Sequence, residues 1–482
     1  MRILLTGWLC LAAAASLSAQ VRPAGIFGDH MVLQRNKPIP VWGRASPGER
    51  ITVSLAGQSA RTKASKTGEW SVTLPAMKEG GPFSLTLAGK DTVTLSDVLL
   101  GEVWLCSGQS NMEWPVRSAD SARREIAASA NDMIRHIKVP RTAALQPRPE
   151  MAQPAEWKVC GPATVADFTA VGYFFARELQ QRLGVPVGLV NSSWGGTHVE
   201  TWTSGEAFFA QPEFASLKEK YPTVDTPIKA PNAYASLLYN GMIQPIVGFS
   251  IRGAIWYQGE SNAGRAEQYN RSFPLMIADW RSRWKEDFPF YFVQLTHYQA
   301  SKGDSQNGGS TWAELREAQT NTLRLPNTGM AVIVDIGNSG DIHPRNKQDV
   351  GLRLALQALA RTYGMPVPHE APMVDKVAFE GAMAGVTWKN TYDGLTVRNR
   401  YGHVNGFEVA GEDRRFHYAR AWMAADGKVM VTCDKVARPV ALRYGWSDDP
   451  ADLNLFNSAG IPANPFRTDD WPRKTQGAAF GK

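Results

Sequence analysis

Acyl transfer needs a nucleophile, a base and hydrogen-bond donors for the tetrahedral oxyanion. Four short segments of this chain carry such groups: Gly108-Gln109-Ser110-Asn111, Trp194-Gly195-Gly196-Thr197, Trp256-Tyr257-Gln258-Gly259-Glu260-Ser261-Asn262 and Asp341-Ile342-His343-Pro344. In this set Ser110 attacks, and His343 takes its proton and returns it to the leaving alcohol. Asp341, two residues before His343, is the nearest carboxylate in sequence to hold the imidazole tautomer and stabilise the imidazolium. The backbone N–H groups of Ser110 and Gly196 are candidate oxyanion donors, since glycine lets a chain approach a ligand closely. The Gln258 side-chain amide is a candidate third donor.

Taken singly, each segment has a plainer reading. Gly-Gln-Ser-Asn also fits an ordinary strand-to-helix turn, Gly195-Gly196 fits a turn, and Asp341 fits a helix cap. The chain has 8 histidines, and most histidines are surface or core residues. Glu260 reads better as a buried structural carboxylate with its own donor than as a catalytic group. Trp194, Trp202, Trp256 and Tyr257 could face a sugar cleft, but aromatics at strand ends are more often core; His198 and His297 read as bystanders. The order of the set is what raises it above its members, because each segment follows or lies close to a predicted strand end.

Those strand ends belong to a stretch, Val98 to about Gly364, in which strands and helices alternate. The apolar run Val98 to Leu105 predicts a buried strand that breaks into the polar cluster Ser107 to Asn111. Further strands are predicted at Val187 to Val190, Ile251 to Tyr257, Phe288 to Leu295 and Met330 to Val334. Helices are predicted at Phe168 to Leu183, stopped by Gly184, and at Arg265 to Trp284. A third opens on the capping box Thr311-x-x-Glu314 and runs to about Leu323, and a fourth has Pro344 in its first turn and runs through Ala360. The alternation predicts an α/β domain over residues 98–365, with a parallel sheet covered on both faces. The chemistry-bearing segments then converge on its carboxyl edge, where open α/β sheets bind ligands.

The flanks are β in pattern. Residues 20–97 alternate apolar and polar at Ile51 to Leu55, Trp70 to Leu74, Phe83 to Leu87 and Thr92 to Leu95, with turn residues between, which predicts an N-terminal β-sandwich. Residues 366–482 form a C-terminal β-rich region, with strands at Val377 to Phe379, Leu395 to Val397, Phe407 to Ala410, Val429 to Thr432 and Val440 to Tyr444, and a loop-like tail from Asn454 to Trp471. Residues 1–19 have the charged start, short apolar core and small-residue exit of a signal peptide, cleaved before Gln20, and imply a secreted or periplasmic protein. The apolar run is shorter than the roughly 20 residues that span a bilayer. Cys10 has no small residue before it, which argues against a lipoprotein site. Without the leader Cys106, Cys160 and Cys433 remain, an odd number without metal spacing that allows at most one disulfide. Cys106, on the presumed buried strand, reads as a small core residue. The formal charge of +7 is spread along the chain without a long basic run, so nucleic acid is not indicated as a partner.

Longer stretches surround these residues: Met31-Val32-Leu33-Gln34-Arg35 with Val41-Trp42-Gly43, Trp104-Leu-Cys-Ser-Gly-Gln-Ser-Asn-Met-Glu-Trp114, Ser193-Trp-Gly-Gly-Thr197, Trp256 to Asn262, Asp341-Ile-His-Pro-Arg-Asn-Lys347 and Pro465-Phe-Arg-Thr-Asp469. On these motifs the chain resembles the sialate O-acetylesterase family of the SGNH-hydrolase superfamily, over nearly all of the mature sequence. The resemblance implies an SGNH-like three-layer α/β domain and a Ser/His/Asp esterase that removes O-acetyl groups from sugars without a metal or cofactor. It implies Ser110 as nucleophile, His343 as base, and oxyanion donors from Ser110, Gly196 and Gln258, the last in place of the superfamily's usual Asn. One spacing departs: the superfamily commonly has Asp-x-x-His, whereas here it is Asp341-x-His343. Asp335, at the end of the last predicted strand, therefore rivals Asp341 as the orienting acid. The function expected is a carbohydrate O-acetylesterase working through a serine acyl-enzyme on an O-acetylated carbohydrate. A glycan-binding protein on an esterase scaffold, and a lipase or thioesterase with a long apolar acyl pocket, are the alternatives. Which acetylated sugar is cut depends on pocket shape, which no motif reports.

Overall fold

A strand that is apolar on both faces must be covered on both, and residues 98–108 are buried without interruption. In the computed structural model, which describes residues 20–222, 228, 230–298 and 305–481, they form the second part of strand β1, Thr92–Gly108. The leader expected over residues 1–19 lies outside the described residues. β1 sits inside a sheet ordered β2-β3-β1-β4-β5-β6, with β2 Asn131–Lys138, β3 Val187–Ser193, β4 Gly253–Tyr257, β5 Phe290–Val293 and β6 Thr328–Ala331. Every pairing along this order is parallel, and Lys158–Cys160 adds an antiparallel edge beside β2.

Helices cover both faces, as alternation along the strands requires. On one face Trp104 of β1 packs edge-on against Phe175 of α1, Ala170–Leu183, with ring centroids 5.0 Å apart. On the other, Trp256 of β4 packs against Phe273 and Trp280 of α2, Ala266–Trp284, at 6.1 and 5.8 Å. α3, Thr311–Asn321, packs beside α2, and α4, Lys347–Arg361, beside α1. The result is the three-layer α/β domain expected. The chain leaves β1 toward β2 and β3 on one side and returns to β4, β5 and β6 on the other. The carboxyl end of β1 is therefore a topological switch point, the place where open α/β sheets bind ligands.

The N-terminal sandwich has one sheet of Arg22–Pro23, Ile39–Arg44 and Glu69–Leu74, and a second of Arg50–Leu55, Gln58–Lys63 and Gly80–Ala88. The second sheet continues into β1, whose Thr92 to Leu100 pair with Gly80–Ala88 and whose Glu102 to Gly108 pair with β3. The boundary drawn from sequence between residues 97 and 98 thus falls inside one unbroken strand, because its hydrogen bonding passes from one sheet to the next. At the crossing Glu102 is fully buried and accepts from Arg35 Nε at 2.6 Å, Arg252 Nε at 2.7 Å and Gln34 Nε2 at 3.2 Å. Burial pushes the Glu102 carboxyl up, but the Arg252 and Arg35 guanidiniums outweigh it and hold it below its usual range.

The C-terminal region contains two four-stranded antiparallel sheets and a two-stranded ribbon. Leu455–Asn457 and Phe466–Arg467 are short strands within the tail expected to be loop. Residues past Trp471 lie back on the α/β domain, where Glu314 accepts from the backbone N–H groups of Lys474 and Thr475 at 2.6 and 3.0 Å. This overturns the expected capping box: α3 is capped by Ser310, whose hydroxyl accepts from Ala313 N–H at 2.9 Å, while Glu314 holds the tail. Likewise α4 begins at Lys347 behind the cap Asn346, so Pro344 precedes the helix. Cys106, Cys160 and Cys433 are free and buried. Among the described residues no helix is long and apolar enough to cross a membrane.

Candidate active site

β1 ends where its neighbours crowd it most. At Gly108, with φ +134°, a Cβ would lie 2.1 Å from the Tyr257 carbonyl oxygen, so only glycine lets β1 and β4 run this close. Gln109 N–H then donates to that same oxygen at 3.0 Å, and the chain turns into a single helical turn, Ser110–Glu113. This carries Ser110 off the sheet edge, where its side chain is partly exposed. His343 arrives from the loop after β6, and its Nε2 lies 2.9 Å from Ser110 Oγ although 233 residues separate them. With the imidazole neutral and its proton on Nδ1, the hydroxyl donates to Nε2 and is set to lose its proton there. The Trp114 indole stacks on the imidazole at 4.9 Å and 17° and fixes the plane of the ring.

Asp341 Oδ1 accepts the His343 backbone N–H at 2.8 Å and stands 3.7 Å from His343 Nδ1. The carboxylate thus closes the loop on which His343 sits and places its charge beside the ring. Asp335 is committed elsewhere, clamped by Arg353 through two bonds of 2.6 and 2.8 Å. Of the two acids proposed from sequence, the structure brings only Asp341 to the imidazole. Burial lowers the His343 pKa, the Lys347 ammonium lowers it further, and Asp341 opposes both.

The turn Trp194 to Thr197 follows β3 and seats directly on Ser110, since a Cβ on Gly195 would stand 3.2 Å from Ser110 Cβ. Glu113, on the Ser110 turn, accepts Gly195 N–H at 3.1 Å, and Asn232 Nδ2 donates to the Gly196 carbonyl at 2.6 Å. Gly196 takes the left-handed conformation, φ +72°. Among the described residues neither Ser110 N–H nor Gly196 N–H donates a hydrogen bond, which leaves both for an oxyanion.

Gln258 does not join them. Its Nε2 donates both hydrogens, to Thr197 O at 3.0 Å and Asn262 Oδ1 at 2.7 Å, and its Oε1 accepts from Tyr269 at 2.9 Å. A fully buried amide with both hydrogens committed has none for an oxyanion. Gln258 instead ties the Gly196 turn to β4 and α2. Glu260 is the buried carboxylate expected, and its donor is Asn111 Nδ2 at 2.6 Å. Trp202, Trp256 and Tyr257 are core, whereas Trp194 is partly exposed, with Arg141 5.5 Å from its ring centroid. His297 pairs with Asp449 at 2.7 Å and His198 packs on Phe480 of the tail, so neither faces Ser110. Glu113 and Trp114 were missed as site residues, although both lie in the motif that holds Ser110 and their spacing from it is one helical turn.

Comparison with known proteins converges on the same region. The family model described as carbohydrate esterase, sialic acid-specific acetylesterase, matches residues 100–360. The sialate O-acetylesterase of Pongo abelii is 34% identical over 510 residues, covering 95% of this chain and 94% of that protein. The human sialate O-acetylesterase is 33% identical over 507 residues, with 95% and 94% covered. A solved carbohydrate acetylesterase from Xanthomonas citri superposes with a TM-score of 0.86 at 43% identity, covering 93% of this chain and 100% of that one.

Proposed function

The chain belongs to the sialic acid-specific acetylesterase family of carbohydrate esterases, and from that premise we propose that Ser110, His343 and Asp341 hydrolyse the O-acetyl esters of a sugar. The protein is a carbohydrate O-acetylesterase, a serine carboxylic-ester hydrolase. The observation that carries the residue assignment is the 2.9 Å contact between Ser110 Oγ and His343 Nε2 inside the matched region. Ser110 Oγ attacks the acetyl carbonyl carbon as its proton passes to Nε2. The new oxyanion is received by the N–H groups of Ser110 and Gly196. Collapse breaks the bond to the sugar oxygen, which takes the proton from Nε2 and leaves as the free hydroxyl. Water then attacks the acetyl-Ser110 carbonyl and gives one proton to Nε2; acetic acid departs as that proton returns to Ser110, and it ionises to acetate in solvent. Throughout, Asp341 stabilises the transient imidazolium.

Acetate release from an aryl acetate tests the assignment. Ser110→Ala and His343→Ala each lower kcat by at least about 10⁴-fold; turnover at the wild-type rate in Ser110→Ala refutes it. An O-acetylated sialic acid, the substrate named for the curated relatives, assayed beside O-acetylated neutral sugars sets the substrate class. Export to the periplasm or medium is also proposed, on the leader pattern of residues 1–19.

A further inference from the structure

Three motif residues have no part in the steps above: Asn111 beside the nucleophile, Glu260 after Gln258, and Lys347 after His343. They come from three distant segments and meet beneath the site. Asn111 Nδ2 donates to Glu260 Oε1 at 2.6 Å and to the Ile342 carbonyl at 3.0 Å, and its Oδ1 accepts from Lys347 Nζ. One side-chain amide therefore spans the nucleophile turn, to which it belongs, and the base loop, whose residue 342 it holds. Lys347 is fully buried. Its Nζ lies 5.7 Å from the centroid of the Trp114 ring that stacks on His343, and 5.4 Å from that of Tyr257. Glu260 Oε2 is buried and has no partner among the described residues.

An ammonium at such a place costs several kcal/mol in lost hydration. An apolar side chain in α4 would fill the volume without that penalty, so packing alone does not account for a lysine. We propose that Lys347 and Asn111, charge-balanced by Glu260, are positioning residues that set His343 against Ser110 and keep its imidazole in the neutral, proton-accepting form. The ammonium disfavours a second positive charge on the nearby ring, and the Asn111 bond to Ile342 O stops the base loop from lifting away. The ionisable groups acting on His343 are Lys347 from below and Asp341 from the solvent side; those acting on Lys347 are Glu260, Asp341 and Asp120. Burial pushes Lys347 down to about 7, so on the acid side, where His343 titrates, it carries its charge.

The inference rests on the assignment of Ser110 and His343, and the test separates the two. In Lys347→Met the acid limb of the kcat/KM profile on an aryl acetate moves up by about 0.5–1 pH unit, because the imidazolium loses its like-charged neighbour. Loss of the Nζ bond to Asn111 loosens the side chain that holds the base loop, and through this lost positioning we expect kcat to fall about tenfold with KM changed less than about twofold. Lys347→Met leaves Glu260 without its neighbouring cation, so the double variant Lys347→Met with Glu260→Gln is measured beside it. Removing both charges returns the melting temperature toward wild type, while the lowered kcat and shifted limb persist. A wild-type limb and a kcat within about twofold of wild type, in either folded variant, overturns the proposal. Ser110→Ala in the same assay is inactive if only the network is misassigned; if it turns over, the esterase assignment itself fails.

Discussion

Asp341→Asn isolates the charge of the orienting acid from its geometry. The amide oxygen still accepts the His343 N–H now held at 2.8 Å, so the base loop keeps its shape, and only the negative charge 3.7 Å from Nδ1 is removed. At that separation a unit charge stabilises the imidazolium by about 1 kcal/mol at the dielectric of water and about 4 kcal/mol at an effective value near 20. The Asp341 side chain is 41% exposed, so screening favours the lower part of that range. About 2 kcal/mol corresponds to a loss of about 30-fold in kcat. This is far less than the roughly 10⁴-fold that follows loss of a buried triad aspartate. The acid limb of kcat/KM moves down in pH, opposite to Lys347→Met, because removing an anion disfavours the imidazolium. Asp335→Asn is the control: it frees Arg353 and lowers stability by about 1–3 kcal/mol with kcat unchanged. Steady-state kinetics on an aryl acetate from pH 5 to 9, with denaturant unfolding of each variant, supplies all the values. A kcat collapse in folded Asp335→Asn with Asp341→Asn intact refutes the assignment, and a roughly 10⁴-fold loss in Asp341→Asn refutes the screening argument that sets the size of the effect.

Glu102→Gln leaves Arg252 and Arg35 facing a neutral amide at the crossing between domains, and we expect unfolding free energy in urea to fall by about 2–4 kcal/mol. The Glu102 carboxyl lies below its ordinary value of 4.5 in the fold, so its contribution is complete above that pH and is lost as pH falls through the folded value; the gap to the variant therefore closes on acidification. Gly108→Ala meets the Tyr257 backbone and yields no soluble active enzyme, as expression and assay together will register. Gly196→Ala meets nothing within 4 Å, so it folds at a cost of about 1–2 kcal/mol for its left-handed backbone, read as a lowered melting temperature. N-terminal sequencing of protein recovered from periplasm or medium will begin at Gln20; an intact Met1 refutes export by cleavage there.

The site was legible where the chemistry follows from residue type at a strand end. Ser110, His343 and the Gly196 turn needed only the α/β alternation to bring them together. Gln258 was misread because sequence shows an amide near the edge but not that Thr197 O and Asn262 Oδ1 consume both hydrogens. β2 was missed for a related reason: Asn131–Lys138 carries Asp132, Arg135, His136 and Lys138, which masks a partly buried strand. Arg135 is answered by Asp97 at 2.6 Å, and His136 is held neutral, its pKa lowered to about 3 by burial against Phe168. Such compensation comes from distant residues and leaves no local pattern. The false capping box is the same lesson in reverse: Thr311-x-x-Glu314 has the right spacing, but Glu314 is used by Lys474 and Thr475.

Because β1 is shared, the order in which the molecule can be built is constrained. Residues 20–100 precede every other central strand in the chain, and once folded their sheet holds the first part of β1. The second part then projects as a pre-aligned edge. β3 and β4 add to its two sides, and each must close a loop of many tens of residues to do so. A strand already fixed at one end makes those closures less costly in entropy than pairing two free segments. We expect the N-terminal sandwich to act as a template for the catalytic sheet as well as its neighbour. A fragment cut at residue 98 to isolate the catalytic part would begin with that template missing.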